Sequence, residues 1–115
     1  MSDMFNGADL FNQDIGSWDL SSMISLNYMF FNATSFNKDI SNWDVSNVTD
    51  MSFLFASARA FNQDLDTWDV SNVTNMTGMF DEAEAFNGSV DWDVSNVENM
   101  AGMFLFAENF NQDID

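Results

Sequence analysis

Phe61-Asn62-Gln63-Asp64-Leu65-Asp66-Thr67-Trp68-Asp69-Val70-Ser71-Asn72-Val73-Thr74-Asn75-Met76-Thr77-Gly78-Met79-Phe80 is the stretch that decides the fold, because its parts recur along the 115-residue chain. Its opening Phe-Asn pair returns at Phe11, Phe36, Phe61, Phe86 and Phe110, with spacings of 25, 25, 25 and 24 residues. A fixed period of this length marks supersecondary units that lean on their neighbours for stability, which directs the search for function to a surface and away from a pocket. The chain reads as one array over residues 1–115. It has a partial unit at 1–10, repeats at 11–35, 36–60, 61–85 and 86–109, and a partial unit at 110–115.

Within repeat 36–60 the apolar positions are Phe36, Ile40, Trp43, Val45, Val48, Met51, Leu54, Phe55 and Ala58. From Val48 onward their spacing is that of an amphipathic helical stripe, predicting a helix over 47–58. Ser46, and Ser21, Ser71 and Ser95 in the equivalent places, stand where N-caps belong, and Ser95 with Glu98 has the spacing of a capping box. Before the helix, Phe36, Lys38 and Ile40 alternate with Asn37 and Asp39, as in an extended strand. A turn follows. It absorbs the residue missing between Val90 and Trp92 in the shorter repeat. These readings predict an α/β repeat: a leucine-rich-repeat-like solenoid of strand-turn-helix units of about 25 residues, with a parallel sheet along one side.

Nineteen acidic residues against Lys38 and Arg59, with no histidine, give a formal charge of −17. That balance disfavours nucleic acid and anionic membranes and favours cations or basic proteins as partners. Thirteen phenylalanines, four tryptophans and nine methionines are more apolar bulk than an acidic disordered segment carries, so a core is expected. Without cysteine or histidine there is neither a disulfide framework nor a thiolate or imidazole metal site, and nucleophilic triads are unavailable. Direct membrane insertion is not expected, and the chain reads as non-enzymatic, with no catalytic residues and no required cofactor.

Two carboxylate columns recur: Asp14, Asp39, Asp64 and Asp113 after the Phe-Asn pairs, and Asp19, Asp44, Asp69 and Asp93 after the tryptophans. Stacked in register, such charges repel, so something must offset them. One reading places Ca²⁺ along Asp19, Asp44, Asp69 and Asp93, because calcium takes six to eight oxygen ligands. The other has the Asp and Asn side chains accept backbone N–H bonds in turns and run as ladders. Ser89 interrupts the first column, so a cation row fits the second. On the strand face Asn37, Asp39, Asn62 and Asp64 are the candidate partner-binding residues. The tryptophans and the Met-Phe pairs read as core. Phe31, Phe53, Leu105 and Phe106 fall beside the repeated core positions and read as an exposed apolar surface.

Trp-Asp-Val-Ser-Asn-Val stands at Trp43–Val48, Trp68–Val73 and Trp92–Val97, with a degraded copy at Trp18–Met23. This string, within the longer unit quoted above, resembles the repeat of BspA-like leucine-rich-repeat surface proteins, also found in mycoplasma-type surface lipoproteins. The resemblance implies an extracellular or cell-surface protein for adhesion or protein–protein interaction. The expected function is a non-enzymatic surface module that contacts a protein partner or cell-surface ligand through its acidic face. The alternative is a structural subunit whose repeat ends stack head to tail into a homo-oligomer or fibre.

Overall fold

In the computed structural model, which describes residues 2–112, one backbone segment of each repeat divides its N–H groups between two kinds of partner. Met51, Phe53, Phe55 and Ser57 donate to the carbonyls of Asn75, Thr77, Met79 and Asp81 in the next repeat, at 2.7–2.9 Å. The residues between them, Leu54, Ala56 and Ala58, donate back three positions to Met51, Phe53 and Phe55, at 3.0–3.3 Å. Leu26, Tyr28, Phe30 and Asn32 make the same forward bonds to Asp50, Ser52, Leu54 and Ala56. The repeats therefore lie side by side as tiers joined in register.

Running turns back to back requires left-handed backbone at every fourth residue. Positive φ occurs at Asp3 and Gly7, Tyr28 and Asn32, Phe53 and Ser57, Gly78 and Glu82, and Gly102 and Phe106, two positions per tier. Phe53 and Ser57 are the third residues of the turns 51–54 and 55–58, where a type II turn needs φ above zero. A side chain at such a position costs about 1–2 kcal/mol, offset here by the bonds each turn makes to its neighbours.

The expected α/β leucine-rich-repeat-like solenoid is corrected by these observations. Among the described residues there is no α-helix, and the only sheet pairing is the isolated parallel bridges Ser25–Asp50, Asp50–Asn75 and Asn75–Asn99. The body is compact, 35 × 31 × 20 Å with a radius of gyration of 12.5 Å. The helix predicted over 47–58 fails because alternate N–H groups are taken by the next tier and left-handed φ at Phe53 and Ser57 leaves the helical path. Its apolar stripe is nevertheless real. Val48, Met51, Leu54, Phe55 and Ala58 are all fully buried, because consecutive four-residue turns return side chains inward at nearly helical spacing. Ser21, Ser46, Ser71 and Ser95 are not N-caps but second residues of β-turns closed by Met23, Val48, Val73 and Val97. The Ser95–Glu98 capping box does not form, and the Glu98 N–H donates to the Thr74 carbonyl instead.

The predicted strand at 36–40 is absent because side chains, not backbone, bridge the tiers there. Asn12 Oδ1 accepts the Asn37 N–H, Asn37 Oδ1 accepts Asn62, Asn62 Oδ1 accepts Asn87, and Asn87 Oδ1 accepts Asn111, at 2.8–2.9 Å. Three of the four tryptophans also reach back: Trp43, Trp68 and Trp92 donate their indole N–H to Ile15, Ile40 and Leu65 carbonyls at 2.8–3.0 Å. Equivalent rings lie closest on the backbone-bonded side, 5.5 Å for Phe55–Phe80, and farther apart where side chains bridge, 6.0 Å for Phe61–Phe86 and 6.4 Å for Trp68–Trp92. Where a residue is missing in the fourth repeat, the β-turn Leu65–Trp68 becomes a three-residue turn closed by Trp92 N–H on the Val90 carbonyl.

Two phenylalanine columns form the core. Phe30, Phe55 and Phe80 stack on one another and on Phe36, Phe61 and Phe86 of the second column, with all six rings buried. Trp43 and Trp68 are 3% exposed and belong to the core, as the sequence indicates, whereas Trp18 and Trp92 are partly buried against it. Aromatic pairs of this kind contribute about 0.5–1.5 kcal/mol each beyond burial.

Glycines at left-handed positions separate conformation from contact. Gly7 has φ +72 and nothing within 4 Å of an added Cβ, whereas at Gly78, φ +58, that Cβ falls on the Phe53 ring. Gly7→Ala is expected to cost about 1 kcal/mol from backbone strain alone. Gly78→Ala is expected to cost more, by a further ~1 kcal/mol or above. Denaturant melts of the two variants check this, and equal losses would show that Phe53 moves freely.

Candidate functional site

The Asp column after the tryptophans is in register, and its chemistry is local. Asp19, Asp44, Asp69 and Asp93 each accept the N–H of the serine two residues on, at 3.0 Å, and Ser21 and Ser46 add hydroxyl bonds at 2.6 Å. The serine hydroxyl and then the serine N–H hold all four carboxyls below their ordinary pKa. Asp19 and Asp69 push Asp44 the other way, but less strongly. The serines thus offset the repulsion that registration creates. The four carboxylates are exposed, and no group of three or more Asp or Glu side chains suited to holding a metal ion occurs among the described residues.

The second column separates into different roles. Asp39 accepts the Ser41 N–H at 2.9 Å and is held low, first by the Ser41 side chain and then by its N–H. Asp64 instead reaches the next tier, accepting the Ser89 N–H at 2.9 Å, so the serine that interrupts the column is its partner. Asp113 lies outside the described residues. Of the candidate partner-binding residues, Asn37 and Asn62 use their side-chain carbonyls in the ladder, and Gln63 Nε2 donates to both the carbonyl and Oδ1 of Asn37.

Asp39 and Asp64 meet in a polar groove of about 370 Å³, lined also by Ser41, Gln63, Asp66 and Thr67. Asp66 holds the Asp91 N–H through Oδ1 at 2.9 Å, and Thr67 donates its hydroxyl to the Ser41 carbonyl at 2.7 Å. Three carboxylates in one concavity, each with an oxygen held by a backbone N–H, make a fixed anionic surface. Asp66 and Thr67 were not among the sequence candidates. Their signal was departure from the repeat, since Ser41 and Asn42 occupy the same places one unit earlier.

The apolar candidates also divide. Leu105 and Phe106 are 51% and 66% exposed, while Phe31 and Phe53 are half-buried, Phe53 stacked on Tyr28 at 5.0 Å. Arg59 pairs with Glu82 and Glu84 at 3.5 Å on the surface, which contributes little.

Asp81 occupies the place held elsewhere by Phe31, Ala56 and Leu105, and its Oδ1 is buried without a hydrogen-bond partner among the described residues. Burial, and then the charge of Glu82, push its carboxyl up. A raised native pKa means that Asp81 destabilises the fold as pH rises through it, whereas the five depressed carboxyls contribute stability that is lost as pH falls. Asp81→Ala is expected to raise stability at neutral pH by about 1 kcal/mol. The gain should shrink as pH drops below the ordinary carboxylate range, which urea melts at several pH values would show.

The model of a family described as Mycoplasma protein of unknown function, DUF285, matches residues 1–91 and again residues 63–115. Two overlapping placements are what a tandem repeat produces, because the same profile fits at more than one register. Neither a curated protein nor a solved structure matches the chain. The matched segments together span the chain, which therefore belongs to the DUF285 family of repeat-containing Mycoplasma proteins of unknown function.

Proposed function

We propose that this chain is a non-enzymatic interaction module, extracellular or on a cell surface, that binds a basic partner protein through the groove of Asp39, Asp64 and Asp66. The observation that carries this reading is the convergence of three carboxylates on a concavity whose shape is held by tier-to-tier bonds. A net charge of −17 adds a long-range field that speeds encounter with cationic surfaces. The BspA-like resemblance of the Trp-Asp-Val-Ser-Asn-Val string supports the surface location and the adhesive role.

Asp64→Asn and Asp66→Asn retain the Oδ1 that holds Ser89 and Asp91 while removing the charge. A heptalysine peptide is expected to bind each variant about two- to fivefold more weakly, with unchanged melting and a shallower salt dependence. Asp19→Asn removes the same charge away from the groove and should change affinity less. Equal losses for all three would reject the groove and leave only non-specific attraction.

Head-to-tail stacking is a second reading with its own observation. The N–H groups of Gly102, Phe104 and Phe106 lack acceptors among the described residues, and at the other end the carbonyls of Ser2, Met4 and Asn6 lack donors. These are the same pairings that join internal tiers, so one end complements the other and not itself. Light scattering is expected to show mass rising with protein concentration, and more so at high salt, which screens the repulsion between acidic copies. A monomer throughout would sink this reading.

A further inference from the structure

The pattern Asn-X-Ser/Thr, read by N-linked glycosyltransferases, stands at Asn32-Ala33-Thr34, Asn47-Val48-Thr49, Asn72-Val73-Thr74, Asn75-Met76-Thr77 and Asn87-Gly88-Ser89. A usable site needs its amide free at the surface, and the fold treats the five asparagines differently. Asn47 Nδ2 donates to the Ser21 carbonyl and Asn72 Nδ2 to the Ser46 carbonyl, each at 2.7 Å, so the nitrogen that would carry a sugar is tied to the preceding tier. Asn75 Oδ1 accepts the Thr77 N–H and hydroxyl at 3.0 and 2.7 Å, and its backbone lies in the row of parallel bridges. Asn87 Oδ1 holds the Asn111 N–H and Gln112 Nε2 at 2.9 and 3.0 Å.

Asn32 is exposed, and its side chain makes no hydrogen bond among the described residues. Its column explains why. The equivalent residues on either side are Gly7, which has no side chain, and Ser57, whose hydroxyl donates to Glu82 Oε2 in the tier beyond at 3.3 Å. Tiers flank Asn32 on both sides, since the Gly7 N–H donates to Phe31 O at 2.7 Å and the Asn32 N–H to Ala56 O at 3.0 Å, so its exposure is not that of an array end. The residues themselves point the same way. Asn47–Thr49 and Asn72–Thr74 fall on the repeated string, whose next copy reads Asn96-Val97-Glu98 and loses the pattern. Thr34 is a departure from the repeat: its counterparts Asp9, Arg59, Glu84 and Glu108 are all charged. Left-handed backbone at Asn32, φ +59, accounts for an asparagine but not for a threonine two residues on. The Thr34 hydroxyl makes one long bond, 3.3 Å to the Asp9 carbonyl, much as Thr74 does to Thr49, so freedom of the amide is what separates the sites.

We infer that Asn32 is a modification site, the acceptor of an N-linked sugar. Selection by the folded surface requires a transferase that acts after folding, so the donor is a soluble nucleotide-diphosphate sugar. In the transfer, Asn32 Nδ2 bonds to the anomeric carbon while the bond from that carbon to the donor's phosphate oxygen breaks. The nucleoside diphosphate leaves with the bonding electron pair, and one amide proton passes to the transferase. Asn32 does not line the acidic groove, and the inference depends neither on that groove nor on where the chain resides.

The test incubates the folded 115-residue chain with UDP-glucose and a soluble N-glycosyltransferase that reads this pattern, and maps the added hexose by peptide mass spectrometry. Five short peptides, one for each Asn-X-Ser/Thr site, report the transferase's own preference, and the rate in the chain divided by the rate in the peptide reports access. That ratio is expected to be about one at Asn32 and about fivefold lower or more at the other four, where hydrogen bonds must first break. Thr34→Ala, which keeps the asparagine, is expected to abolish the modification, as is Asn32→Gln. The comparison of chain with peptides needs neither variant, so the inference stays testable even if both unfold. A folded chain unmodified at Asn32, another site with an equal or higher ratio, an Asn32 peptide that takes no sugar, or a sugar that persists in Thr34→Ala would each overturn it.

Discussion

The division of backbone N–H groups between the next tier and the preceding turn is the constraint on which the molecule rests. Each of the first four turn segments makes three or four forward bonds, and these hold neighbours close enough for phenylalanine to stack on phenylalanine. Within segments 26–33, 51–58 and 76–83 turn bonds and the short side chains beside them use the remaining N–H groups, so this backbone is satisfied without helix or sheet. Left-handed residues are the consequence. Tyr28, Phe53 and Glu82 accept a conformation that glycine would adopt more readily, because the alternative is to leave the forward bonds unmade.

On the opposite side the same need for hydrogen bonds is met by side chains. Asn12, Asn37, Asn62 and Asn87 reach across to the following backbone, and the tryptophan indoles reach back to the preceding one. A side chain inserted between backbones accompanies wider ring spacing, and it leaves polar oxygens along the surface. The acidic groove grows out of this side, where Asp64 and Asp66 take over part of the asparagine role. Its carboxylates are therefore both structural and available.

Periodicity was readable from the amino acids alone, and so was the identity of the buried side chains: Phe36, Ile40, Trp43, Val45, Val48, Met51, Leu54, Phe55 and Ala58 are all core. The ladder role of asparagine was also open to reading, because Asn and Asp in turns accept backbone N–H groups. Secondary structure was not, since a spacing of three and four residues suits successive turns as well as a helix, and only the neighbouring tier's claim on alternate N–H groups separates them. The meeting of Asp39 with Asp64 and Asp66 depends on which residues of adjacent tiers come into register. Composition and period belong to the chain; the distances between tiers belong to the folded molecule, because they come from hydrogen bonds that no single repeat can make.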